Sequence, residues 1–358
     1  MRYIGNKTKL LPFLRSAIAR FGIGRGVAHD AFAGTAAVGR ALKADGWRVH
    51  SSDLMTYSYV MQRAYVVASR LGDFGALARA EPRIGGALRR RTVTIEAVAE
   101  FLASGASSTD GFFAHHFAPA GGRMYFTDAN ARRIDAARTT LHAWHRAALV
   151  GDDAFYVLLA AIIEGADRVA NTAGVYAAYI KKWQPNALRP FGVLAELPVR
   201  SRARCVAHQA DAIHVANALG PVDLLYVDPP YNTRQYAGYY HIPELIARGW
   251  FDQVVELRGK TGLIADRQQR SAWCSRRQAP DALRDLLAAT GAKHVLVSYN
   301  SEGLIEAQEL RAILQEAAVG RVRRSTLRYK RYRADSDREG RRYKGDEVTE
   351  LLYYARLR

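Results

Sequence analysis

Apolar positions along the chain follow two rhythms. In short runs at 27–29, 48–52, 206–210, 224–227, 293–300 and 348–355, Val, Leu, Ala and Tyr crowd together between Gly, Pro or Asp, the pattern of strands in a buried sheet. Elsewhere they recur at helical spacing, as in Leu10, Leu11, Leu14 and Ile18, and again in 37–44, 130–149, 154–164 and 304–317. From 65 to 204 the helical rhythm dominates, broken at Gly85-Gly86, 104–110 and Gly121-Gly122. Strands alternating with helices predict an α/β fold with a Rossmann-like, doubly wound sheet. The change of rhythm predicts three segments: 1–64 and 205–358 as two parts of one domain, and 65–204 as a mostly helical insertion between them. A basic, irregular loop is expected over 260–277.

Four of the predicted strands run into an aspartate: Asp30, Asp53, Asp211 and Asp228. Strand, glycine loop, helix, strand and acid follow in order from Val27 to Asp53, the first half of a nucleotide-binding sheet. Asp53 lies 23 residues after Asp30, near the spacing at which an acid takes ribose hydroxyls. Gly34 and Gly39 do not form the G-x-G-x-x-G of a pyrophosphate site, so the loop suits adenosine without phosphate. Asp211 falls either near a cofactor's adenine amine or at the N-cap of the next helix. In 2–9 a basic, aromatic loop opens a helix, which suits an anionic or zwitterionic ligand or a frayed terminus.

The most informative stretch is Asp228-Pro229-Pro230-Tyr231. Neither proline donates to a sheet ladder and each fixes φ, so the strand stops there with an acid and a carbonyl held at its carboxyl end, where open α/β sheets bind ligands. Asp228 and the Pro229 carbonyl are placed to accept the two N–H groups of an exocyclic amine while Tyr231 stacks on the ring. A plain Pro-Pro turn with Tyr231 in the core is the alternative.

Charge adds a partner. The 358 residues carry 52 Lys+Arg against 34 Asp+Glu, a net charge of +18, which points to a polyanion such as nucleic acid or to an Arg-rich composition alone. Residues 321–344 hold eleven Lys and Arg with three tyrosines interleaved. A basic arm over 321–346, with Arg321, Arg323, Arg324, Lys330 and Arg331, is expected to track phosphates, the alternative being a solvated charge run. Arg234, in a polar-aromatic loop suited to closing over a base, is a further candidate for DNA contact, and His241 in the same loop a candidate general base. In the insertion, Tyr125, Arg132, Arg133, Tyr176, Tyr179, Lys181, Lys182, Trp183 and Arg189 are candidates for exposed contacts to phosphates and bases, the alternative for the Tyr and Trp residues being ordinary core. The pairs His115-His116 and His142/His145 lack a third ligand at readable spacing, so no metal is expected. Two isolated cysteines, no apolar run of membrane length and no signal-peptide block predict a cytoplasmic protein without membrane attachment.

Taken together, Tyr-Ile-Gly-Asn-Lys at 3–7, Asp-Ala-Phe-Ala-Gly at 30–34, Asp53, Asp211 and Asp-Pro-Pro-Tyr at 228–231 resemble the Dam-like adenine-specific DNA methyltransferases of the alpha permutation group. In that group too the cofactor motifs come first, a target-recognition insertion follows, and the catalytic tetrapeptide comes later. The resemblance implies a class I methyltransferase fold, S-adenosyl-L-methionine as methyl donor and the exocyclic amine of adenine in duplex DNA as acceptor, reached by base flipping. It implies Asp228, Pro229, Pro230 and Tyr231 as catalytic residues. It places Tyr3 and Lys7 beside the cofactor, Asp30, Phe32 and Gly34 around its methionine part, Asp53 on the ribose and Asp211 near the adenine. Family loops usually have a second glycine where this chain has Ala36. A cognate restriction endonuclease and a monomeric or weakly dimeric state are expected with it. The competing expectations are the same chemistry on cytosine, methylation of RNA or of a protein glutamine, and a binding module without catalysis.

Overall fold

Pro221–Val227, the strand that leads into Asp228, lies at the centre of a seven-stranded sheet. The structure, a computed structural model, describes residues 1–86, 93–107, 110–252, 254–264, 269–330 and 347–358. Among them the strands, in chain order, are β1 (Val27–Asp30), β2 (Arg48–Asp53), β3 (Val206–Gln209), β4 (Pro221–Val227), β5 (Leu257–Arg258), β6 (Leu263–Ile264), β7 (Gly291–Asn300), β8 (Arg323–Lys330) and β9 (Glu347–Arg356). β5 and β6 pair with each other; the other seven lie in the order β3-β2-β1-β4-β7-β9-β8. The first five of these are parallel, and β9 runs antiparallel to both β7 and β8. The strand order reverses between β1 and β4, so the carboxyl ends carrying Asp30 and Asp228 stand side by side, the position where open α/β sheets bind ligands.

By its contacts the chain divides into two compact units. The sheet unit comprises residues 5–59, 201–235 and 268–358; the helical unit comprises Met1–Ile4, Val60–Arg200 and Tyr236–Arg267. In the sheet unit the side-chain period of two sorts the strands' residues by face. Leu225, Val227, Val295, Val297, Tyr353 and Ala355 are buried with Leu283, Leu286, Leu310 and Leu314 of the helices Ala279–Ala289 and Ala307–Ala317. Leu224, Tyr226, Leu296 and Ser298 belong to the opposite face. Trp273 and Cys274, within the stretch expected to be an irregular loop, are buried in a short 3-10 turn, with the Trp273 ring edge-on to Phe32 at 4.9 Å. The indole contributes more as core than a loop residue would.

In the helical unit Asp128–Arg146 begins with Thr127 accepting the Asn130 N–H at 3.2 Å, and Asp152–Arg168 carries Asp152 and Asp153 in its first turn, where acids suit the helix dipole. The helical pattern ends there. Residues 171–200 form neither helix nor strand, because amide side chains take the place of a ladder. Asn171 donates to the carbonyls of Met124 and Ile180 and accepts from Gln184 N–H; Asn130 donates to those of Ala187 and Arg189 and accepts from Phe191 N–H. Tyr125 and Tyr176, two of the candidates for exposed contacts, are 0% and 1% exposed. Each hydroxyl finds an acceptor inside, Tyr125 on the Tyr176 carbonyl at 2.6 Å and Tyr176 on Asp167 at 2.9 Å, so a polar tip does not require water. Residues 1–4 and 236–267 join this unit: Ile4 N–H donates to the Tyr240 hydroxyl at 2.8 Å, and Arg2 N–H to Asp167 at 2.6 Å.

Candidate active site

The β1 turn builds one wall of the site. Asp30 is 1% exposed and accepts the Gly39 N–H on Oδ2 at 3.0 Å, near the start of the helix Ala37–Ala44; its Oδ1 is buried without a hydrogen-bond partner among the described residues. Burial pushes this carboxyl up to about 7, and the charge of Asp228 adds to the rise. Asp53 accepts the Gly34 N–H at 3.0 Å and the Met55 N–H at 2.9 Å, tying the glycine loop to the end of β2. Gly34 has φ +51 and Ala36 φ +61, the left-handed region that a glycine enters without strain. The loop therefore has two positions suited to glycine, and Ala36 occupies the second.

The β4 turn builds the other wall. The Asp228 side chain is 13% exposed, and its Oδ1 lies 3.1 Å from Lys7 Nζ. Lys7 is 5% exposed and lies 2.6 Å from Oε1 of Glu350 on β9. The Ser298 hydroxyl, on β7, donates to the same Glu350 oxygen. Burial raises the pKa of Asp228; Lys7 opposes that rise and Glu350 adds to it. For Lys7 burial works against the charge, but Asp228, Tyr226 and Glu350 outweigh it and its pKa rises. Lys7 also stands 5.8 Å from the centre of the Tyr231 ring. A Cβ on Gly5, at φ +80, would collide with the Tyr231 hydroxyl, so the Tyr-Ile-Gly-Asn-Lys segment needs its glycine where it passes this ring. Tyr231 is partly buried, edge-on to Tyr299.

Among the remaining candidates, Asp211 accepts the Ile213 N–H at 2.9 Å and caps the helix Ala212–Leu219. Phe32 packs against the core. Tyr3 is in the helical unit, stacked on Tyr240 at 4.7 Å. Arg234 is exposed in a turn closed by Asn232, whose side-chain oxygen accepts its N–H. Arg321, Arg323 and Arg324 are exposed at the start of β8. The stretch leads into β8, which pairs antiparallel with β9 at the edge of the sheet. Lys330 ends β8, and Arg331, like the rest of the arm to 346, lies outside the described residues. His241 is 0% exposed, between the carbonyls of Gly238 and Thr261. Burial lowers its pKa to about 4, a poor position for a general base. His142 stacks on Phe251, and His145 on Phe155 with Asp152 at 2.9 Å. Glu350 and Ser298 join the site without any signal in the sequence.

A mostly parallel α/β sheet with acids at the adjoining carboxyl ends of β1 and β4 is consistent with a class I methyltransferase. Comparison with known proteins sharpens this. The family model of the D12 class N6 adenine-specific DNA methyltransferases matches residues 3–313, and the chain belongs to that family. It is 32% identical to the Type II methyltransferase M.NlaIII of Neisseria lactamica, over 99% of this chain and 98% of that protein. It is 31% identical to the Type II methyltransferase M.FokI of Planomicrobium okeanokoites and 29% identical to the modification methylase StsI of Streptococcus sanguinis, each over 99% of this chain. It spans 52% of M.FokI and 51% of StsI. Among the described residues no helix is long and apolar enough to cross a membrane.

Proposed function

We propose that this adenine-specific DNA methyltransferase takes its methyl group from S-adenosyl-L-methionine and delivers it to an adenine flipped out of duplex DNA. The observation that carries this reading is a nearly buried Asp228, at the sheet's switch point, with its charge partner Lys7 on Oδ1. The donor, when bound, supplies an electrophilic sulfonium methyl. The adenine amine is a poor nucleophile because its lone pair is delocalised into the ring. Asp228 and the Pro229 carbonyl accept its two N–H groups and favour a pyramidal nitrogen with a localised pair, while Tyr231 stacks on the base. Nitrogen–carbon bond formation breaks the carbon–sulfur bond, and the proton then lost from nitrogen passes to Asp228, whose burial favours holding it. Positioning and electrostatics supply the rate; unstacking costs a few kcal/mol and stacking on the tyrosine returns roughly 1–3 kcal/mol.

Asp53 is assigned to the ribose, Asp211 to the cofactor's adenine, and Tyr3, Lys7, Asp30, Phe32 and Gly34 to its surroundings, Asp30 by fixing the loop through Gly39. The insertion 65–204 is assigned to target recognition, with Arg234 and the basic residues from Arg321 on phosphates. The Type II names of the relatives support a place in restriction-modification, beside a cognate endonuclease. Incubation with isotope-labelled S-adenosyl-L-methionine and unmodified DNA, followed by digestion to nucleosides, should yield labelled N6-methyladenine by mass. Label on cytosine, or none with either DNA or RNA, overturns the reading.

A further inference from the structure

The buried group beside Asp228 holds two carboxylates and one ammonium, and its shorter contact is with the carboxylate that touches no substrate in the proposed reaction. Lys7 lies 2.6 Å from Glu350 and 3.1 Å from Asp228. The pairing of β7 with β9 sets Asn300 opposite Glu350 and Ser298 opposite Leu352, so Ser298 and Glu350 are diagonal neighbours on one face of the sheet. Tyr226 and Leu296 are register partners, and Asp228, two positions on from Tyr226, projects to that same face. Glu350 is 1% exposed. A carboxylate this deep, held by a serine and a lysine, is costly to keep for packing alone, since an apolar residue of like volume often serves as well.

We propose that Glu350 is a positioning residue for methyl transfer: with Ser298 it holds the Lys7 ammonium back from Asp228, leaving that carboxylate free to accept the target amine's N–H. The inference rests on the reading of Asp228 as the acceptor of that amine. A lysine paired with Asp228 alone would compete for the lone pairs the amine needs and weaken the carboxylate as a base. Among the described residues, the groups facing Asp228 are Lys7, Glu350, Tyr226 and, from β1, Asp30. Burial raises the Asp228 pKa most; of these groups only Lys7 is a cation, so its division between two acids adjusts the basicity that burial confers. With both carboxyls ionised the triad has one excess negative charge, which also suits a cationic sulfonium.

Glu350→Gln tests this, because the amide keeps the shape and removes the charge. Its single-turnover rate should fall by about tenfold with KM for DNA and cofactor nearly unchanged, the signature of an interaction made in the transition state. The acidic limb of the rate–pH profile should move to lower pH by about one unit as Lys7 turns wholly to Asp228. A carboxyl-carbon NMR titration of Asp228 in the cofactor-free protein should show the same displacement, and Glu350→Asp should restore part of both. A reduced melting temperature with the rate, the limb and the Asp228 titration unmoved would show a merely structural role and overturn the proposal. Should Glu350→Gln fail to fold, Ser298→Ala keeps both charges and is expected to shift the Asp228 titration in the same direction by less; no shift overturns the proposal. Wild-type protein that methylates no adenine would instead remove the reading beneath it, an outcome told apart by the wild-type assay alone.

Discussion

Buried charge is handled differently in the two units. In the sheet unit Lys7, Asp228, Glu350 and Asp30 are charged or chargeable side chains facing one another. In the helical unit the buried Glu244 and Asp167 pair with the less buried Arg248 and Arg2, while Asp135 and Arg138 face the backbone. Asp135 accepts the N–H groups of Phe113 and Ala114, both at 2.9 Å, at the start of the helix Phe112–Phe117. Arg138, 3% exposed, donates to the carbonyls of Ile246 and Ala247 at the end of the helix His241–Arg248. Charge facing backbone satisfies helix ends and fixes a scaffold. Charge facing charge leaves proton affinities adjustable, which is where chemistry is found.

Mutations should separate the two kinds. Asp228→Ala is expected to have the largest effect, lowering single-turnover methyl transfer by at least about a thousandfold while DNA binding survives. An active Asp228→Ala would break the contrast at its root. Asp135→Ala should do the reverse: it leaves two buried N–H groups unsatisfied and lowers stability by about 2–3 kcal/mol in urea unfolding, with kcat of the folded fraction retained. Asp30 gives a pH test. Its folded pKa, about 7, lies above its unfolded value, so the native state holds a proton that the unfolded state has lost. The stability it contributes is full below about pH 4 and is lost as pH rises towards 7. Asp30→Asn should flatten that slope in unfolding measured between those limits. Neutralising Arg321, Arg323 and Arg324 together should reduce the salt slope of DNA binding by about 0.9 for each phosphate they neutralise; an unchanged slope would make them surface charge. The smallest effect is Ala36→Gly. Relief of a left-handed alanine and the added chain entropy nearly cancel, so the melting temperature should move by the equivalent of less than about 1 kcal/mol.

Much of the sheet unit is legible from the chain. Strands announce themselves by apolar runs that stop at Asp30, Asp53 and Asp228, and the Pro-Pro pair fixes where the central one ends. The family motifs, too, are local strings. Glu350 is not legible, because in Thr-Glu-Leu-Leu-Tyr-Tyr a lone Glu reads as the exposed alternate of an edge strand. Only the β7–β9 register, with β8 beyond it as the true edge, turns it inward. Residues 236–267 read as part of the sheet domain because they follow the catalytic tetrapeptide. Their attachment to the helical unit comes from contacts such as Tyr240 with Ile4 and Arg138 with Ile246, which no spacing encodes. Tyr125 and Tyr176 mislead for the complementary reason: phenols beside arginines suggest a wet surface until their acceptors are seen.

Lys7 and Glu350 stand 343 positions apart in sequence. On the ribosome, at about 5–20 residues per second, their partnership must wait roughly 20–70 seconds after Lys7 is made. Until β9 emerges, β7 lacks its antiparallel neighbour and the ammonium has only one acid of its pair. β9, the last of the described strands in chain order, is thus the one that completes the charge around Asp228, and the nascent chain reaches its working proton balance only after that strand has been made.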